Sequence, residues 1–249
     1  MKFHHLCWLG AVLLTAQPGW TAPLRVLLLT GSNNHKWQTT TPVLKATLES
    51  TGRFIVDVET NVVAMAPASI APYDVLLSNF NTFGKKTPGP VWNADMRAAF
   101  VDFIRQGKGL VVVHSGSSVF YDWPEFQQLA GTSWGEHTHH GKQHTNEIHI
   151  VSTPHPITRG VKDFSTFDEF WQTTDLAPGT TVLATVAPRK EFGGSGQPEP
   201  MALVTHLGAG RGFTLLLGHS TGGMDSAGFK ILLQRGTEWA ATGKIEEQK

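Results

Sequence analysis

Three short apolar runs, each closed by a polar turn, set the strongest constraint on how this chain folds. Leu24-Arg-Val-Leu-Leu-Leu-Thr30 ends in Gly31-Ser-Asn-Asn34, Gly109-Leu-Val-Val-Val113 ends in His114-Ser-Gly-Ser-Ser118, and Gly212-Phe-Thr-Leu-Leu-Leu-Gly218 ends in His219. Runs this apolar, without polar alternation, are the pattern of strands covered on both faces. Phe54 to Val58 and Tyr73 to Ser78 read as two further strands. Helical patterns fall between them. One opens at Thr41-Pro42 and runs to about Ser50, with proline in its first turn. A second, Ala94 to Gln106, carries Met96, Phe100, Val101, Phe103 and Ile104 on one face. Trp123 to Leu129 and Phe229 to Ala241 read as two more. This alternation predicts an α/β fold with a doubly wound, mostly parallel sheet flanked by helices.

The pattern loosens beyond Gly131. Gly131 to Thr145 reads as a long polar loop, and Lys190 to Pro200 as a Gly/Pro-rich surface loop. Glu147 to Val151, Glu169 to Thr173, Thr181 to Val186 and Met201 to His206 read as strands. No repeat or linker divides the chain, and 249 residues suit one full-sized domain.

Met1 to Ala22 reads as a secretory signal peptide. Lys2 supplies the basic start, and Leu6 to Ala16 is an apolar run of 11 residues, short for a membrane span. Pro18 and Gly19 break it, and Ala22 offers a cleavage position. An uncleaved N-terminal anchor is the alternative. Cleavage leaves one domain, residues 23–249, that is periplasmic or secreted and carries no membrane segment. It also removes Cys7, the sole cysteine, so neither a disulfide nor a cysteine-rich zinc site is available to the mature chain. The mature chain has 19 basic against 20 acidic residues, which leaves no basic excess for phosphate neutralisation and argues against a nucleic-acid partner.

Histidine is over-represented, at 12 residues, of which His4 and His5 leave with the signal. Imidazole is both the common metal ligand and the acid–base group that works near neutral pH. His35, His114 and His219 each follow a predicted strand, and ligands in doubly wound sheets bind at strand carboxyl ends. One such histidine alone reads as a hydrogen-bonded structural residue; three together point to a shared site. The segment Glu136-His-Thr-His-His-Gly-Lys-Gln-His144 offers four more imidazoles, read either as a solvated loop or as zinc or copper ligands. His137 is its preferred contributor to the pocket. Asp168-Glu169 precedes Phe170-Trp171, an acid-and-aromatic arrangement suited to sugars. On a strand the two carboxylates point to opposite faces, so they do not form a facing glycosidase pair, and one of them faces the pocket. Asn33, Trp37, Tyr121 and Trp171 are candidate substrate contacts, with core packing the alternative for at least one of the aromatics. No dinucleotide-binding loop, phosphate-loop lysine or Gly-x-Ser-x-Gly elbow is present, so no nucleotide cofactor is expected, and Ser115 is a weak candidate nucleophile.

Taken in order, His35-Lys-Trp37, Gly109 to His114, Trp123 to Gly131 followed by His137, His155-Pro-Ile-Thr158, Phe167-Asp-Glu169, Gly210-Arg-Gly212 and Gly218-His219 resemble the trehalose-utilisation, or ThuA-like, family. The resemblance covers nearly all of the chain after Pro23. That family is a branch of the class I glutamine amidotransferase-like superfamily, which implies a flavodoxin-like core. It also implies a link to carbohydrate catabolism and 3-keto-sugars. The superfamily's nucleophilic cysteine would fall near His114, so cysteine-based glutamine hydrolysis is excluded here.

The expected function is metal-assisted isomerisation or glycosidic cleavage of a sugar or 3-keto-glycoside. Its candidate catalytic groups are His114, Glu169 and His219. The candidate ligands for a divalent ion, zinc or similar, are His35, His114, His137, His219 and Glu169. The alternatives are a non-catalytic sugar-binding or accessory module, and a metal-binding protein built on the 137–144 loop. The sequence leaves the oligomeric state open.

Overall fold

Strand β1 (Leu24–Leu29) buries its last four residues on both faces, as its apolar run requires. The computed structural model describes residues 22–84 and 91–246, so the signal-peptide reading lies, apart from Ala22, outside the described residues. Helix α1 (Trp37–Glu49) follows β1 and starts four residues before the expected Thr41. Pro42 therefore sits in the second turn, and the carbonyl it leaves without a helical donor belongs to Gln38, which is exposed to water. Strands β2 (Phe54–Glu59) and β3 (Val75–Ser78) come next. Helix α2 (Ala94–Arg105) is capped by Asn93, whose side chain accepts from the Met96 N–H at 2.9 Å. Strand β4 (Gly109–Val113) is wholly buried. Helix α3 (Pro124–Ala130) opens on proline and stops at Gly131, whose φ of 73° suits a left-handed helix end.

The second half is built from β5 (His139–His140), β6 (His144–Ile150), β7 (Phe164–Asp168), β8 (Trp171–Gln172), β9 (Thr181–Val186), β10 (Glu199–Leu207) and β11 (Gly210–Leu215), followed by α4 (Ala227–Thr242). Nine strands form one sheet in the order β2-β1-β3-β4-β11-β10-β9-β6-β7. The pairs from β2 through to β11 are parallel, and this is the doubly wound part. From β11 onward the pairing is antiparallel. The change follows from the connection: only Gly208 and Ala209 separate β10 from β11, which permits a hairpin but no crossover.

Two apolar layers cover the sheet. On one face Val26, Leu28, Val111 and Val113 pack with Leu44 and Leu48 of α1 and with Phe229, Leu232 and Leu233 of α4. On the other, Leu27, Leu29, Leu110 and Val112 pack with Phe100 and Ile104 of α2 and with Phe126 and Leu129 of α3. Each such side chain contributes about 1.5–3 kcal/mol relative to exposure.

Two local readings are corrected. The span 169–173 is not one strand: β7 ends at Asp168 and the chain turns before β8. The Asp168 carboxylate accepts the Glu169 N–H at 2.9 Å and so holds that corner. The 131–145 stretch is not all loop either, since β5 pairs with β8 and β6 begins at the buried His144. No helix among the described residues is long and apolar enough to cross a membrane.

Candidate functional site

The carboxyl ends of β1, β4 and β11 deliver three histidines to one point. His114 occupies the sharp turn directly after β4 with φ at 46°, a backbone region that side chains rarely adopt. His35 comes from the β1–α1 connection and His219 from the segment after β11. The His35 ring centroid lies 4.9 Å from that of His114 and 4.3 Å from that of His219, and the His114–His219 spacing is 5.2 Å. Glu169, at the β7–β8 corner, completes the group. One donor atom from each of the four lies within 4.8 Å of the others.

Two of the imidazoles are fixed by a partner on the far side of the ring. His114 Nδ1 donates to the Leu216 carbonyl at 2.8 Å, which turns Nε2 toward the cluster. His35 Nδ1 lies 3.0 Å from Asn33 Oδ1 and 2.9 Å from Ser115 Oγ. Asn33 Nδ2 donates to the Asn79 carbonyl at 3.0 Å, so its oxygen must face His35. Asn81 Nδ2 braces the same network, donating to Asn33 Oδ1 at 2.9 Å and to Ser115 Oγ at 2.9 Å. His35 Nδ1 is therefore the protonated nitrogen and Nε2 carries the lone pair. This binding of one nitrogen to an oxygen while the other stays open is the pattern of metal-ligating histidines. Ser115 is buried within this network and serves it as a positioning group.

Glu169 is 6% exposed, with Oε1 3.6 Å from His114 Nε2 and Oε2 3.2 Å from His219 Nδ1. Burial alone would raise its pKa, but the close His114 and His219 rings outweigh burial and hold it well below the usual carboxylate range. Burial, with His114 and His219 alongside, lowers His35 to about 3, so its ring is neutral near pH 7. For His219 burial opposes charge, and Glu169 overcomes it and raises the pKa. Asp168 has a different task. It is fully buried, and its oxygens accept the N–H groups of Gly218 at 2.6 Å and His219 at 3.1 Å, which fixes the backbone that carries His219. Of the two neighbouring carboxylates, Glu169 faces the site and Asp168 faces the scaffold.

His35, Glu169 and His219 of the cluster line a cavity of about 730 Å³ whose walls include Phe83, Trp134, Trp171 and His140, and the buried His114 stands behind them. That volume falls within the ~300–1,000 Å³ of small-molecule sites. Trp134 stands edge-on to Trp171 at 5.2 Å and to Phe83 at 6.0 Å. Of the expected aromatic contacts, Trp171 lines the cavity and packs 5.1 Å from the His114 ring. Trp37 and Tyr121 are not among the lining residues. Trp37 starts α1, and its neighbours His35, Lys36 and Thr39 face the cavity instead. Tyr121 is 51% exposed because Phe120, at φ 54°, turns inward onto Trp92 and Trp123. Asn33 is placed behind His35 and outside the lining. His137 is corrected too: a turn in which the Gly135 N–H reaches Thr138 Oγ1 at 3.0 Å leaves it exposed. From that segment it is His140 that meets Glu169, with Nδ1 3.3 Å from Oε2. Asn81 and Phe83 lie in the 79–83 stretch that follows a readable strand, and His140 lies in the histidine-rich 136–144 segment, yet the sequence singles out none of the three there as a site residue; nothing in the local sequence marks Trp134.

Two buried atoms, His114 Nε2 and His219 Nδ1, have no aligned hydrogen-bond partner among the described residues. These nitrogens and the Glu169 carboxylate face one another closely enough to share a proton, and a cation of the right size can take the proton's place between them. Four tetrahedral ligands at ~2.1 Å from an ion lie ~3.4 Å apart, so atoms spread within 4.8 Å would close on it by up to ~1.4 Å. The cluster can therefore hold a metal ion.

The profile of the trehalose-utilisation (ThuA) family matches residues 25–240. Among solved structures, a ThuA-like protein from Parabacteroides merdae aligns at 27% identity and a TM-score of 0.78, over 91% of this chain and 93% of that one. A ThuA-like protein from Bacteroides uniformis aligns at 17% identity and a TM-score of 0.65, over 90% and 95%. The carbohydrate deacetylase Agd3 shares the fold at 13% identity and a TM-score of 0.53, over 88% of this chain and 32% of that one. A search of curated proteins found no match. With its profile spanning nearly the whole described chain, the protein belongs to the ThuA trehalose-utilisation family.

Proposed function

We propose that this chain is an exported, metal-dependent enzyme that isomerises or cleaves a sugar or 3-keto-glycoside. The observation that carries the reading is the convergence of His35, His114, His219 and Glu169, three of which, His35, His219 and Glu169, line an aromatic-walled cavity. The family's link to trehalose utilisation supports a carbohydrate as the small-molecule partner. Balanced charge supports no nucleic-acid role.

Zinc or a similar divalent ion, held by the three imidazoles and Glu169, would polarise a ketone oxygen or acidify a bound water. The chain's own groups do the rest. Trp134 and Phe83 offer apolar faces to the sugar ring and exclude water from one side, with the buried Trp171 packed behind them. Asn33, Asn81 and Ser115 hold His35 in one ring orientation. Glu169, kept ionised by its histidine neighbours, is a weak base, so removal of a proton from carbon beside a ketone by it or by a histidine of the group would depend on the acidity that a bound ion lends the ketone. His140, exposed to solvent, stands 3.3 Å from Glu169 Oε2 through the Nδ1 that also donates to the Gly141 carbonyl at 2.8 Å, and it orients the carboxylate from the solvent side. Proton abstraction at that position permits either isomerisation or loss of a β-linked glycosidic oxygen without a facing carboxylate pair.

The test is turnover by the purified mature chain of ordinary and 3-keto disaccharides, with and without chelator. Activity on a keto-sugar, lost with chelator and in His114→Ala, is expected. Absence of turnover on every sugar, with the ion bound, would leave the sugar-binding reading in its place. Export is checked by sequencing the N-terminus of the chain recovered from periplasm or medium: loss of about 22 residues is expected, and an intact chain kept in the cytoplasm contradicts it.

A further inference from the structure

A second cavity, of about 620 Å³, opens at the far end of the sheet from the cluster. Its wall includes Arg53 and Phe54 at the start of β2, whereas the histidines follow the carboxyl ends of β1, β4 and β11, which run parallel to β2. Helix α4 and the 156–159 loop form its other sides. Four cations and two carboxylates line it. Arg53 takes up both acids: its Nε donates to Glu238 Oε1 at 2.8 Å, and its Nη2 lies 3.6 Å from Glu246 Oε1. Lys244 also reaches Glu246, at 4.0 Å. Arg159 and Arg235 remain, and among the described residues the wall holds no further carboxylate to neutralise them.

Arg235 is anchored without being neutralised. Its Nη1 donates to the Arg159 carbonyl at 2.6 Å and to the Ile157 carbonyl at 3.4 Å, which fixes the guanidinium and leaves its charge in place. The same bonds tie the Arg159 backbone to α4, so both guanidiniums belong to one wall. A guanidinium presents paired N–H donors that match two oxygens of a carboxylate or phosphate. Pro156, Ile231 and Ile245 add apolar surface to the same cavity, with Ile231 37% exposed. A bare inorganic ion would leave that surface in water. We infer that this cavity binds a small organic oxyanion, a carboxylate or phosphate on an apolar skeleton, held by Arg159 and Arg235. The site is separate from the histidine cluster and does not depend on the sugar reading.

Isothermal titration calorimetry of the mature chain at low salt tests it with phenyl phosphate, benzoate and inorganic phosphate, the first two separating phosphate from carboxylate. At least one of the ring compounds is expected to bind about tenfold tighter than inorganic phosphate, the effect of burying part of the ring. Arg159→Ala removes one exposed guanidinium, and Arg235→Lys keeps the charge but loses the planar fork. Each should weaken that binding about 10–100-fold. Metal content and melting temperature should stay at wild-type values in Arg159→Ala, and that variant decides the matter should Arg235→Lys fail to fold. An anion held by an ion at the cluster would bind Arg159→Ala as tightly as the wild type, and that result would overturn the inference. So would inorganic phosphate binding as tightly as either ring compound, or no binding of any of the three up to about 10 mM.

Discussion

His114 meets two demands that seldom coincide. Its backbone sits at φ 46°, a strain of about 1–2 kcal/mol for a non-glycine residue, and its ring is locked by the Leu216 carbonyl. Both place Nε2 in the cluster. His114→Ala is expected to lower metal affinity more than about 100-fold while the fold persists, measured by competition with a chelating dye. Asn33→Ala removes the oxygen that fixes His35 without touching the ion, so about a 10–100-fold loss is expected in the same assay. Asp168→Ala acts differently: it strands the buried N–H groups of Glu169, Gly218 and His219. It should cost about 3 kcal/mol or more in denaturant unfolding. At this scale the sequence made His35, His114, His219 and Glu169 legible, because each directly follows a readable strand or precedes an aromatic pair. It placed Asn81 at a strand end and His140 in a histidine-rich segment but did not assign their roles, which arise from contacts between distant segments, and it favoured His137 where a local turn leaves that residue exposed.

The element that matters most is the turn after β4. It packs on the end of β3, where the Ser78 hydroxyl donates to the Gly116 carbonyl at 2.8 Å. A Cβ at Gly116 would lie 2.2 Å from the Ser78 carbonyl oxygen. Gly116→Ala should therefore push this turn off β3, costing about 1–3 kcal/mol and displacing His114 and Ser115. Thermal unfolding and metal affinity should fall together in that variant, whereas in Asn33→Ala affinity falls more than stability. Strands β1, β4 and β11 were legible because burial on both faces keeps most of their positions apolar. The start of α1 was not, since Pro42 signals a helix start yet sits in the second turn. Nor were β5 and β8, which pair over two residues only and carry too little periodicity to read.

Across the whole molecule, the parallel half of the sheet was written in alternating strands and helices, and it carries all three histidines. The antiparallel half was not visible as such, because strand direction is set by connection length and by pairing between segments far apart in sequence. That half nevertheless brings Glu169 to the cluster, so the site joins the two halves. A bound ion should then stabilise the entire chain. At 1,000 times its dissociation constant an ion adds about 4 kcal/mol, so removal by chelator should lower the melting temperature by roughly 8 °C or more in calorimetry. The central claim, that four residues from four segments make one metal centre, is tested most directly by elemental analysis of the folded mature chain after exposure to divalent ions and desalting. About one ion per chain is predicted for the wild type and none for a folded His35→Ala/His114→Ala variant. A folded wild-type chain that retains no stoichiometric ion, or a double variant that retains as much as the wild type, would contradict it.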